Sequence, residues 1–326
     1  MRPTPVAKII GLLALFHIFV GLSAAQSANA EPLKVAEPLK VVVTIKPIHS
    51  LVAALLAGIA DPVLIVEGAA SPHTFTLKPS AARAISEADV FIRVSPSLEA
   101  FTAKIVAALP NSVNVVTLAE LPGMTLLDQR TSGTFEPHVH EHGDHDHDEH
   151  EAGVRDGHIW LDPENAKVIV RALAAKLCVR SPANAPKLSE NAAALEKKIT
   201  AMDAGIQAEL AGTKDQPFIV FHDAYQYFER HYGVSSAGSL TVSPDVQPSA
   251  KRLSAVRAKI AQLKAACVFA EPGFQPNLIA AVTEGTNAQS GTLDPEGVTL
   301  TPGPQLYFDL MTGLAGNLKS CLERPR

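Results

Sequence analysis

Four short runs between Leu39 and Leu118 constrain the fold most. Leu39–Ile45 (LKVVVTI), Pro62–Gly68 (PVLIVEG), Val90–Ser95 (VFIRVS) and Val113–Leu118 (VNVVTL) are β-branched and continuously apolar, without polar alternation. Such runs suit strands covered on both faces, as in a parallel sheet. HSLVAALLAGI, PSAARAISEA and PSLEAFTAKIVAAL lie between them with helical spacing, two of them opening at Pro. Strand and helix in alternation predict a doubly wound α/β lobe.

The pattern returns near the C-terminus. PFIVFH (Pro217–His222) and ACVFAE (Ala266–Glu271) read as buried strands, and PSAKRLSAVRAKIAQLKAA and PQLYFDLMTGLAGNLKSCL as helices. Between the two stretches, Leu188, Leu195, Ile199, Met202, Ile206 and Leu210 form one apolar stripe. A helix over 183–210 would be about 42 Å long, enough to lie along two lobes. The alternative is an ordinary helix kinked at Gly205. The expected organisation is a leader over 1–30, an N-terminal α/β lobe over 31–182, a linking helix over 183–211 and a C-terminal α/β lobe over 212–326.

The leader is read from Arg2 and Lys8, the apolar run Ile9–Leu22 and the A-x-A site Ala28–Ala30. This is the pattern of a secretory signal peptide, and the run is shorter than the roughly 20 residues a membrane span needs. Export to a periplasm follows, with no membrane insertion after cleavage. AEPLKV then occurs twice, at Ala30–Val35 and Ala36–Val41, as an arm leading to the first strand.

Hydrophobic residues at 47% and charged residues at 19% exclude a disordered chain. A net charge of −5 argues against nucleic acid as a partner. Histidine is the outlier. Six of the twelve, His138, His140, His142, His145, His147 and His150, fall within Glu136–Glu151, together with seven carboxylates and a single aliphatic residue. Such a segment cannot build a core and reads as a solvated auxiliary metal loop.

Four other residues are better placed for an ordered site. His73 follows the run ending near Gly68, His158 lies in DGHIWLDP, His222 ends PFIVFH and Asp294 lies in GTLDPEG. Ligands of open α/β sheets bind beyond the carboxyl ends of the strands. Three imidazoles and one carboxylate make a set for a tetrahedral divalent ion. His49 in KPIHSLVA reads as a capping or surface residue, and His231 in ERHYG as the end of a helix. Cys178 reads as a buried free thiol.

TIKPIHSLVAAL, PHTFTLKPS, DGHIWLDPENA, FHDAYQYFERHYG, ACVFAEPGFQP and GTLDPEG, in that order and with a His-rich loop before DGHIWLDP, resemble the periplasmic solute-binding proteins of zinc-uptake ABC transporters. That family also has manganese-binding members. The resemblance spans Leu39 to Cys321. It implies two lobes joined by one long rigid helix and a metal site in the cleft. His73 and His158 would come from the first lobe, and His222 and Asp294 from the second. It also implies a Cys267–Cys321 disulfide, a membrane permease as partner with its ATPase reached only through it, and a monomer. His222 stands where manganese members carry a carboxylate, and three imidazoles suit Zn2+. Pro72 stands where some zinc members have a glutamate, so the fourth ligand falls to Asp294 or a water.

No H-E-x-x-H, G-x-S-x-G or P-loop occurs, so a zinc hydrolase or the transporter's own ATPase is disfavoured. Glu271 could serve a hydrolase as base but reads rather as a loop or supporting residue. The expected function is capture of Zn2+ and delivery to a permease. The alternatives are a manganese-binding member, or a zinc buffer or adhesin without a transporter.

Overall fold

The computed structural model describes residues 39–130 and 154–324, apart from 215, 242, 245, 246 and 275. The leader and the whole His/acid-rich segment with its six histidines lie outside the described residues.

The first lobe holds β1 (Val41–Val43), α1 (Lys46–Leu55), β2 (Val63–Leu64), α2 (Pro79–Ser86), β3 (Val90–Arg93), α3 (Ala103–Ala108) and β4 (Asn114–Thr117). All pairings are parallel and the strand order is β2-β1-β3-β4. Each of the four apolar runs contains a strand, and every residue of β1 and β3 is buried. PSLEAFTAKIVAAL is only partly α-helical, a 3-10 turn preceding the short α3.

Two helices follow: α4 (Pro163–Arg180), capped by Asp162 accepting from the Glu164 amide at 2.8 Å, and α5 (Ala185–Glu209). The 25 residues of α5 run without a break through Gly205, about 37 Å in all. The expected stripe is its buried face: Leu188, Leu195, Ile199 and Ile206 point inward and pack on α1, α4 and the last helix of the chain.

The second lobe repeats the first. It contains β5 (Phe218–His222), α6 (Gln226–Tyr232), β6 (Ser236–Thr241), α7 (Ala250–Leu263), β7 (Cys267–Ala270), α8 (Pro276–Thr283), β8 (Gln289–Thr292) and α9 (Leu306–Leu322). Its parallel order, β6-β5-β7-β8, is that of the first sheet. Two of these elements, β6 and α8, were not anticipated; α6 was expected only through its end at His231, and β8 only as a short extended stretch before Asp294. β6 (SAGSLT) has one large apolar residue and β8 (QSGT) none, so neither carries a strand signal. In β8 smallness is the requirement: a Cβ on Gly291 would lie 2.6 Å from the Phe269 ring.

Cys267 on β7 and Cys321 on α9 form a disulfide with Cα atoms 6.2 Å apart, fastening the last helix to the second sheet. Cys178 is free and half-buried rather than buried. α9 also reaches the first lobe, where the Tyr307 amide donates to Ser50 Oγ at 2.9 Å and its hydroxyl to the Trp160 carbonyl at 2.9 Å. A large core shared by both lobes results, with a smaller one behind β5 and β7.

Candidate metal centre

In each sheet the chain leaves the first strand to one side and returns on the other. The gap between the two central strands is therefore the place where side chains can converge. In the second sheet that gap lies between β5 and β7. His222 is the last residue of β5 and Glu271 directly follows β7. His222 Nδ1 lies 2.6 Å from Glu271 Oε2, and the other carboxylate oxygen accepts from the Tyr225 hydroxyl at 2.9 Å.

His158 meets His222 from the first lobe. Its Nδ1 is 2.7 Å from Asp156 Oδ1, which also accepts the His158 amide at 3.0 Å. The other oxygen of Asp156 accepts from Gln226 Nε2 on α6 at 3.1 Å. Both imidazoles thus face a carboxylate through Nδ1, which assigns the proton there and leaves each Nε2 with a lone pair. Those two Nε2 atoms are 3.3 Å apart. That is the edge of a tetrahedron whose bonds are about 2.0 Å, the length of a zinc–imidazole bond.

His73 completes the group from the segment between β2 and α2. One ligand atom from each of His73, His158 and His222 lies within 4.8 Å of the others. His73 Nε2 is buried and has no hydrogen-bond partner. Burial, and then the neighbouring His158 and His222, push the His73 pKa down to about 2. The ring is therefore neutral, the form a metal ion requires. Among the described residues this is the metal-competent group, and carboxylates orient two of its three members.

Asp294 is not in this group. Its Oδ1 accepts the Val298 amide at 2.9 Å, and its Oδ2 accepts the amide and hydroxyl of Thr299, both at 3.0 Å. Its carboxylate folds its own loop, two residues beyond β8. A cavity of about 700 Å³ touches both sides, lined by Glu67, Ser71, Phe75, Glu271, Asp294 and Glu296 among others. His49 is buried, with Nε2 3.0 Å from the Pro62 carbonyl, and stands outside the group. His231 closes α6 before Gly233, whose φ of +69° ends the helix, and contacts Asp203 at 2.7 Å and Asp162 at 3.4 Å.

The sequence reasoning missed Asp156 and Tyr225. An acid two residues before a candidate histidine, as in Asp156-Gly157-His158, was the available signal for the first. For Tyr225 there was none.

A family model described as the periplasmic component A of zinc-uptake complexes matches residues 41–321. The chain belongs to this family. Relatives named high-affinity zinc uptake system protein ZnuA include that of Brucella suis, 44% identical over 310 residues, covering 88% of this chain and 93% of that protein. The protein of the same name from Yersinia pestis is 35% identical over 301 residues, covering 90% and 94%. Among solved structures, a crystal structure of ZnuA aligns with a TM-score of 0.73 at 21% identity, over 88% of this chain and 100% of that one. The periplasmic zinc-binding protein TroA of Treponema pallidum aligns at 0.71 and 22%, over 88% and 99%. These two likenesses speak for the two-lobed fold. Family members are solute-binding components of uptake systems, not enzymes, and zinc is their cargo. Among the described residues no helix is long and apolar enough to cross a membrane.

Proposed function

We propose that the chain captures one Zn2+ between His73, His158 and His222 and delivers it to the permease of an ABC-type importer. The fourth position falls to a water, or to Asp294 if it gives up its loop bonds. The observation that carries this reading is the pair of Nε2 lone pairs 3.3 Å apart, with Nδ1 of each ring engaged by a buried carboxylate. A cation between them would take one nitrogen donor from each ring. Three nitrogen donors favour zinc over manganese, which prefers oxygen-rich, higher-coordinate sites.

The leader over 1–30 supports export to the periplasm, where the chain works as a monomer. The histidines from His138 to His150 raise the local zinc concentration and hold further ions more weakly. The lobes as bounded above part on docking to the permease, so that His222 leaves His73 and His158 and the ion is released.

The test is His222→Glu in protein lacking residues 138–150, with zinc and manganese affinities measured by competition titration. Zinc binding is expected to weaken and the zinc-to-manganese ratio of dissociation constants to narrow. An unchanged ratio with unchanged zinc affinity removes His222 from the site. A wild-type preference for manganese supports the manganese-binding alternative instead.

A further inference from the structure

The segments that carry His158 and His222 are tied together a second time, away from the imidazoles. Residues on either side of the His-rich segment pair as a short antiparallel ribbon. Asp128 bridges Arg155, the Gln129 amide donates to the Val154 carbonyl at 2.8 Å, and the Asp156 amide donates to the Leu127 carbonyl at 2.9 Å. Helix α6, which starts four residues after His222, docks on this ribbon. The Tyr227 hydroxyl accepts from the Leu127 amide at 3.0 Å and donates to the Asp156 carbonyl at 2.9 Å. Gln226 Nε2 reaches the Asp128 carbonyl at 3.3 Å as well as the Asp156 carboxylate.

Arg130 closes the contact. Its Nη1 donates to Asp223 Oδ1 at 3.0 Å and its Nη2 to Glu229 Oε2 at 2.6 Å. The two acceptors are buried, their side chains 1% and 4% exposed, whereas that of Arg130 is 26% exposed. Two buried carboxylates held by one half-buried guanidinium make a charge-assisted junction, Glu229 being held also by the Ser236 hydroxyl at 2.5 Å. Asp223 follows His222 directly, and the ribbon ends at Asp156, two residues before His158. The junction therefore fixes the separation of two imidazoles that come from different lobes. The imidazoles themselves meet at one contact, Nε2 to Nε2 at 3.3 Å, and the ribbon–α6 contact is a second tie between the segments that carry them.

We propose that Arg130 is a positioning residue, a clasp between the ribbon and α6 that holds His158 and His222 at bonding separation, and that opening of this clasp limits release of the ion. The proposal rests on the ligand reading given above, and it adds where the two lobes must first come apart.

The experiment is stopped-flow capture by a chelator of the ion from full-length protein loaded with one equivalent of zinc. Wild type is compared with Arg130→Gln, Arg130→Lys, Glu229→Gln, the Gln–Gln double variant and Tyr227→Phe. Arg130→Gln is expected to speed release on the order of tenfold, with the association rate changed less than twofold. Preorganisation of this kind is expressed mainly in the off-rate. Arg130→Lys, which keeps one charge contact, recovers part of the effect, and the double variant releases no faster than Arg130→Gln alone. Tyr227→Phe, which breaks the junction without touching a charge, also speeds release. If Arg130→Gln does not fold, Tyr227→Phe decides alone.

Release rates within twofold of wild type in the folded variants would overturn the proposal while leaving the ligand assignment intact. An unchanged release rate with a lowered melting temperature of the metal-free protein would likewise overturn it, because the contact would then be structural only. Failure of the ligand reading looks different: His158→Ala and His222→Ala would leave the tightly held zinc in place.

Discussion

At the C-terminal ends of the first sheet, the gap between β1 and β3 is filled by Glu99; in the second sheet, the matching gap between β5 and β7 holds Glu271 and His222. The strand order is the same in both. Glu99 is fully buried and accepts the Val94 amide at 2.7 Å and the Ser95 amide at 3.0 Å, both just beyond β3, and it bonds the hydroxyl of Thr44, just beyond β1. Its carboxyl group is consumed by its own lobe. Glu271 is engaged by an imidazole and a phenol instead, and the imidazole turns its free nitrogen toward the other lobe. One topology thus provides two matching crevices, one filled by a carboxylate bonded within its own lobe and one from which an imidazole reaches the other lobe. Strand β1 runs into Thr44; β5 ends on His222.

Glu99 should dominate the pH dependence of the first lobe. Burial raises its pKa to about 7, against the lowering effect of Thr44, Ser95, Val94 and Arg93. The folded protein therefore holds a proton that the unfolded chain loses near pH 4.5. Stability falls as pH climbs from about 4.5 to 7 and is flat above, by up to about 3 kcal/mol. Glu99→Gln, which imitates the protonated form, is expected to remove that slope in urea titrations at pH 5 and pH 8 while leaving zinc affinity within about twofold. A slope unchanged by the substitution would show that Glu99 is ionised in the fold and that the comparison of the two crevices is wrong.

The reciprocal substitution sharpens the contrast. Glu271→Gln keeps the shape but loses the carboxylate that fixes the His222 tautomer, and should weaken zinc binding by roughly 10–100-fold. Isothermal competition at pH 7.5 measures it. A zinc affinity as insensitive to Glu271→Gln as to Glu99→Gln would erase the difference between the crevices.

The smallest effect is expected where the lobes are joined rather than contrasted. His231 on α6 pairs with Asp162, the cap of α4, and with Asp203 on α5, and the Asp162 hydrogen bond above all raises its pKa. A raised histidine pKa stabilises the fold fully below about pH 6.5, and that contribution disappears as pH rises through the folded-state value. His231→Gln should cost below about 1 kcal/mol at pH 6 and almost nothing at pH 9, read from thermal midpoints at the two pH values. An equal loss at both would assign the residue to packing.

Much of the fold was legible because buried parallel strands are written in β-branched residues, and the stripe from Leu188 to Ile206 marks one face of α5. β8 was hard to read for a physical reason: the space beside the Phe269 ring and the disulfide selects for a small residue at Gly291, which has no strand signature, and β6 (SAGSLT) is likewise built mostly of small residues. At the site, His73, His158 and His222 could be named from the ends of apolar runs and from the family motifs. Asp294 stands apart from the three imidazoles. A motif places a carboxylate near the strand ends, but only the loop geometry reveals that the Val298 and Thr299 donors already occupy it.

The central claim is that the ion sits between the lobes on three imidazoles, independently of the loop histidines. Its most direct test is X-ray absorption at the zinc edge on protein lacking residues 138–150, combined with a metal count after exhaustive dialysis. One zinc per chain with three imidazole nitrogens at about 2.0 Å and one lighter donor is the predicted result. Loss of the tightly held ion on deletion, or a coordination shell made of oxygens, would contradict it.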